Sequence, residues 1–181
     1  MRTFISLEFP GNVRKDIFKS FERLKTSKCV LGNFVKKENI HLTLKFLGNL
    51  SEEKIKEIKD KLSEINFSGF KAELGKIGFF PSEKYVRVVW VDLISEEVKE
   101  LKKIIDEILE EIGINYDNRV FSSHITVARI KKMRDKEEFF KIIKELKIKK
   151  TSFKMNNFFL IKSELRREGA VYKSLKEFKL N

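Results

Sequence analysis

The chain has 181 residues, with 39 Lys and Arg, 27 Asp and Glu and 2 His, a formal net charge of +12 and a pI near 9.6. A hydrophobic fraction of 41% excludes wholesale disorder, and the length suits one domain, 1–181, built as two lobes around a shared core. No apolar run reaches about 18 residues, the N-terminus turns charged at Glu8 before a signal sequence could form, and the lone Cys29 excludes internal disulfides and cysteine-ligated clusters, so a reduced cytoplasmic setting with no membrane contact is expected.

The elements alternate along the chain. Ile5, Leu7 and Phe9 share one side of an extended Arg2–Phe9. Val13, Ile17, Phe21 and Leu24 recur at helical spacing, and 28–37 reads as irregular with a turn at Gly32-Asn33. Ile40–Gly48 alternates again, which places Leu42, Leu44 and Phe46 on one face. Ser51-Glu52-Glu53 caps a helix whose buried stripe is Ile55, Ile58, Leu62 and Ile65. Strands at Phe70–Ile77 and Tyr85–Leu93 join through Gly78-Phe79-Phe80-Pro81-Ser82. Ser95-Glu96-Glu97 opens a helix with Val98, Leu101, Ile105, Ile108 and Ile112 inward, and Gly113 closes it. Phe121–Ile130 reads as a strand, Asp135 to Leu146 as a helix with Asp135 and Glu138 spaced like a capping box, and Thr151–Ile161 and Val171–Leu180 as closing strands. The fold expected is α+β, with antiparallel sheets in two pseudo-symmetric lobes, helices on the outer faces and a central cleft.

The two histidines carry the chemistry. His41-Leu42-Thr43-Leu44 and His124-Ile125-Thr126-Val127 repeat one pattern 83 residues apart, in a chain with only five threonines. Residues two apart on a strand project from the same face. Leu42 and Ile125 face inward, so each strand offers an imidazole and a hydroxyl on its other side. Brought together across a cleft, one neutral and one protonated imidazole can perform in-line displacement at phosphorus. The threonine hydroxyls can hold the non-bridging oxygens, where charge builds in the transition state. No metal or other cofactor is required, and two histidines alone make poor zinc ligation. The positive surplus exceeds what a heat-adapted, Lys- and Glu-rich surface explains and points to a polyanionic partner.

The ordered set of motifs resembles the 2H phosphoesterases, and within them the RNA 2',3'-cyclic phosphodiesterases, also called 2'-5' RNA ligases. The similarity rests on Arg2–Leu7, Glu38–Gly48, Gly78–Ser82 with Val88-Val89-Trp90, Phe121–Arg129, Ser163-Glu164-Leu165 and Gly169–Tyr172. Departures are Ser123 before the second His, Phe34 and Lys36-Lys37 upstream of motif one, and Ala170 in the last hairpin, positions where the family usually has Trp or Pro. The resemblance implies hydrolysis of an RNA 2',3'-cyclic phosphate to a 2'-phosphomonoester, with reversible 2'-5' joining. By that analogy His41 donates a proton to the leaving 3'-oxygen and His124 accepts one from water, with Thr43 and Thr126 assisting. The partner implied is RNA with cyclic phosphate ends, tRNA fragments among them, acted on by a monomer.

Around this centre, Arg129 and Lys45 are candidate phosphate contacts, and Phe79, Phe80 and Tyr172 candidate stacking surfaces for a terminal base. Two other readings stand beside the first. One keeps the site but gives it a small nucleotide cyclic phosphate, and the other is a non-catalytic RNA-binding module.

Overall fold

The computed structural model describes residues 1–115, 120–150, 152–166 and 169–181. In chain order they form β1 (Arg2–Glu8), α1 (Gly11–Ser20), α2 (Glu22–Thr26), β2 (Val30–Phe34), a 3-10 turn (Lys37–Asn39), β3 (His41–Asn49), α3 (Glu52–Leu62), β4 (Phe70–Pro81) and β5 (Val86–Ile94). There follow α4 (Glu97–Glu111), β6 (His124–Met133), α5 (Lys136–Glu145), β7 (Ser152–Met155), β8 (Asn157–Arg166) and β9 (Gly169–Lys179). The strands make a continuous antiparallel sheet in the order β7-β4-β5-β6-β3-β1-β8-β9, with β2 also on β6. The architecture is α+β, as expected.

Burial follows the alternation. Ile5, Leu7, Leu42, Val89, Val91 and Ile125 point to one side of the sheet and are almost wholly buried against Ile17, Ile58, Leu101, Ile105 and Phe139 of the helices. Burying each such side chain contributes roughly 1.5–3 kcal/mol. The two halves of the sheet meet where β3 and β6 pair through Leu42 and Ile125. Both histidines stand one residue from that contact.

The helix signals act as expected at two starts. Ser51 Oγ accepts from Lys54 N at 3.3 Å, and Asp135 Oδ1 accepts from Glu138 N at 2.9 Å. At the third, Ser95 Oγ donates to the Glu97 carboxylate at 2.7 Å, and α4 begins without a side-chain cap. Gly113 adopts φ +78° just beyond α4, and Ile114 N donates to Leu109 O at 2.9 Å, which closes the helix.

Besides the expected 121–130 strand, which starts at His124 and runs on to Met133, four expectations are revised. The 28–37 segment contains β2, because Gly32 lets the chain press against β6: a Cβ there would stand 2.5 Å from the Arg129 carbonyl oxygen. β4 runs on to Pro81, so residues 78–81 belong to the strand and Ser82–Tyr85 make the connection. The expected 151–161 strand is two, β7 and β8, interrupted at Asn156; Thr151 itself lies outside the described residues. The fourth revision concerns the faces of β3. Ser6 pairs with Thr43 but Ile5 pairs with Lys45, so a bulge at Leu44 inserts one residue. Beyond it the alternation inverts. Lys45 turns into the core, 5% exposed, and Phe46 turns to the histidine face, 62% exposed.

Gly32→Ala would place its methyl inside contact distance of the β6 backbone. Urea unfolding is expected to show a loss of about 1–3 kcal/mol, the usual cost of overpacking.

Candidate active site

β3 and β6 each begin on a histidine, and the two rings are held alike. His41 Nδ1 donates to the carbonyl of Asn39 at 2.7 Å, and His124 Nδ1 donates to the carbonyl of Ser122 at 2.8 Å. A carbonyl can only accept, so each Nδ1 carries the hydrogen and the neutral ring keeps its lone pair on Nε2. Thr43 Oγ1 donates to His41 Nε2 at 3.1 Å. One step either way from the Leu42–Ile125 pair sets His41 beside Thr126 and Thr43 beside His124. The imidazoles are then diagonal neighbours on one face, a relation that spans roughly 7–8 Å in a regular antiparallel pair and leaves room for a phosphoryl group.

Aromatic rings fix both imidazoles. Phe4 and Tyr172 lie 5.0 and 5.2 Å from the His41 ring, the latter edge-on. Phe80 meets His124 edge-on at 4.9 Å and stacks at 5.1 Å on Trp90, itself 6.1 Å from His124. Trp90 lies flat against Gly78, where a Cβ would stand 2.1 Å from the indole.

A second bulge repeats in β6. Trp90 pairs with Thr126 and Val89 with Ala128, so Val127 and Ala128 are both buried and Arg129 swings to the exposed histidine face. Arg129 there lies close enough to His41, His124 and Tyr172 to act on all three electrostatically.

Burial holds both imidazoles below the ordinary histidine value. For His41 the Asn39 carbonyl opposes the shift, and the charges of Arg129 and His124 add to it. For His124 the Ser122 carbonyl opposes it and Arg129 adds to it. Burial raises the Tyr172 phenol, against the pull of Arg129 and Arg2. The depressed values favour neutral rings near pH 7.

Of the residues singled out in the sequence, His41, Thr43, His124, Thr126, Arg129, Phe80 and Tyr172 come together. Two do not. Lys45 is not a surface phosphate contact: the bulge buries it, its Nζ 2.9 Å from Asp106 Oδ1. Phe79 points to the opposite side of β4, with Phe139 and Phe140 at 5.9 and 5.7 Å. Sequence reasoning also missed Phe46 on the histidine face and the carbonyls of Asn39 and Ser122. Beside His41 lies a cavity of about 130 Å³ lined by Ser6, Glu8, Glu38, Tyr172 and Ser174, among others. Its carboxylates suit hydroxyl or amine groups better than phosphate. Among the described residues no group of three His, Cys, Asp or Glu is placed to hold a metal ion, and no helix is long and apolar enough to cross a membrane.

Comparison with known proteins places this chain in a class of phosphoesterase. The sequence model described as "LigT like Phosphoesterase" matches residues 7–90 and again 91–172. The chain belongs to this LigT-like, or 2H, phosphoesterase family. It is 34% identical over 179 residues to a Methanocaldococcus jannaschii protein named RNA 2',3'-cyclic phosphodiesterase, covering 98% of this chain and 100% of the relative. An Archaeoglobus fulgidus protein of the same name is 33% identical over 182 residues, covering 98% and 99%. Among solved structures, a Thermus thermophilus protein superposes with a TM-score of 0.85 at 26% identity, covering 99% of this chain and 98% of that one. Escherichia coli LigT complexed with 3'-AMP gives 0.77 at 26% identity, covering 99% and 97%.

Gly78→Ala would displace Trp90, the single tryptophan, and through it Phe80 and His124. The expected outcome is a changed Trp emission maximum together with a fall in phosphoesterase turnover of up to about 10²-fold, the scale of loss that misplacement of a reacting group by about 1 Å produces.

Proposed function

We propose that this chain hydrolyses the 2',3'-cyclic phosphate at an RNA end to a 2'-phosphomonoester, with His41 and His124 as its acid–base pair. The observation that carries this reading is the matched mounting of the two rings, each tied through Nδ1 to the carbonyl two residues earlier, so that the lone pair of the neutral ring is on Nε2. The names of the relatives support the substrate class. The charge of +12 supports engagement of a polyanion.

In the step proposed, water attacks phosphorus as the bond to the 3'-oxygen breaks. His124 takes the proton from water and His41 gives one to the departing 3'-oxygen. Both rings are held low in the free protein, and an anionic phosphate between them favours the protonated form of one. Protonation of His41 at Nε2 releases the Thr43 hydrogen, so that Thr43 and Thr126 donate to the non-bridging oxygens, and the Arg129 guanidinium adds charge where the transition state needs it. Phe46, exposed on the same face, offers a stacking surface for a base. Phe80 and Tyr172 act through the histidine rings that they pack against. With an RNA 5'-hydroxyl in place of water, the same bond changes join two ends through a 2'-5' linkage.

His41→Ala and His124→Ala are each expected to lower kcat by about 10²–10⁴-fold on an RNA ending in a 2',3'-cyclic phosphate, with a 2'-phosphate product in the parent and no loss on EDTA treatment. Retained turnover in both variants would overturn the pairing.

The pH dependence has a definite sign. Lowered imidazole values mean that each proton is released at a lower pH than usual. The kcat/KM profile is therefore expected to be a bell with both limbs on the acid side of about pH 6.5. A flat profile would contradict acid–base histidines. Salt separates substrates: kcat/KM for RNA should fall steeply with ionic strength, whereas that for a mononucleotide cyclic phosphate should not.

A further inference from the structure

The mechanism leaves a line of buried charge unused. Lys45, Asp106 and Lys102 have side chains only 3%, 2% and 10% exposed. Asp106 in α4 sits between the two lysines. Lys45 Nζ lies 2.9 Å from its Oδ1 as a close ion pair without a well-directed hydrogen bond, and Lys102 Nζ donates to its Oδ2. Lys45 Nζ also donates to the carbonyl of Asn115 at 2.9 Å, and Lys102 Nζ lies 5.7 Å from the centroid of the Phe121 ring.

The ends of this line are significant. Lys45 follows Thr43 of motif one across the bulge. Phe121 adjoins Ser122, whose carbonyl holds His124 Nδ1. The charges thus connect the strand that presents one imidazole to the backbone that aims the other. Stability alone does not call for them. Desolvating such ions costs several kcal/mol each, and well-packed apolar side chains in their place are often neutral or stabilising. The second lobe makes the contrast: at the matching bulge position it has Ala128, fully buried and small. What charge adds is a tie between segments, because one ammonium pairs with Asp106 of α4 and donates to the Asn115 carbonyl.

We infer that Lys45, Asp106 and Lys102 are positioning residues, a buried charge line that sets the Phe121–Ser122 step and so the orientation of His124. This rests on the phosphoesterase reading of the two histidines.

The test compares the parent with Lys45→Met/Lys102→Met/Asp106→Leu, with Lys102→Met alone and with Lys102→Arg. It reads urea midpoint, kcat, KM and the NMR titration of the only two imidazoles. The folded triple variant is expected to lose about tenfold or more in kcat with KM little changed, as a misplaced reacting group does. The His124 titration should shift, and that of His41 should move less, through its coupling to His124. Lys102→Met should show a weaker form of both effects and Lys102→Arg should restore them. A folded triple variant with parental kcat and an unmoved His124 would overturn the proposal. If the triple variant fails to fold, Lys102→Met carries the same decision. Lack of turnover in the parent would defeat the phosphoesterase reading; the NMR arm would still decide whether the charge line aims His124.

Discussion

Two strands begin on histidine, and they touch through Leu42 and Ile125, both fully buried. Everything functional depends on that contact. The apolar pair commits one face of β3 and β6 to the core, so the residues either side must take the other face. A slip of one residue would carry both imidazoles into the interior and both leucine-like side chains into the cleft. The hydrophobic effect therefore sets the spacing of the catalytic candidates, although neither of them contributes to the core.

The halves repeat each other closely and then differ where function would need it. Ser6 faces Thr43 as Trp90 faces Thr126, and Glu8 faces His41 as Asp92 faces His124. The bulges fall at the same step, and one family pattern matches each half. Yet Trp90 packs against Phe80 and His124 in the second lobe, whereas Ser6, buried with an unpartnered hydroxyl among the described residues, lines a cavity in the first. Burial of Glu8 raises its carboxyl there, against Arg14 and with help from Glu177. At the positions after the bulges, Phe46 stands in one lobe and Arg129 in the other. A symmetric frame thus presents an aromatic surface and a cation on either side of a nearly symmetric His-Thr pair, which suits a substrate with a base on one side of its phosphate.

Much of this was legible from local rules. The His-x-Thr spacing determined which side chains share a face, and the caps at Ser51 and Asp135 marked helix starts correctly. Bulges were not legible in the same way, because strict alternation is the rule that they break. In β6 the consecutive apolar pair Val127-Ala128 carries the signal, and Arg129 follows it. In β3 the equivalent pair is Leu44-Lys45, and a lysine reads as solvated until its partner is known. Asp106 lies in a helix 61 residues further on, so no local pattern could announce the ion pair. Phe79 and Phe80 illustrate the same limit: adjacent phenylalanines must take opposite sides of a strand, and only tertiary packing decides which one meets a histidine.

On the proposed reading both imidazoles flank one phosphorus, and a chain with two histidines permits a direct measurement. Titration of both imidazole resonances by NMR, with and without a nucleoside 2'-phosphate, reports each ring separately. An anion seated between them should raise both titration midpoints together, since opposite charge favours the protonated ring. If the nucleotide binds and only one midpoint moves, or neither does, the two histidines do not share a phosphate and the account fails.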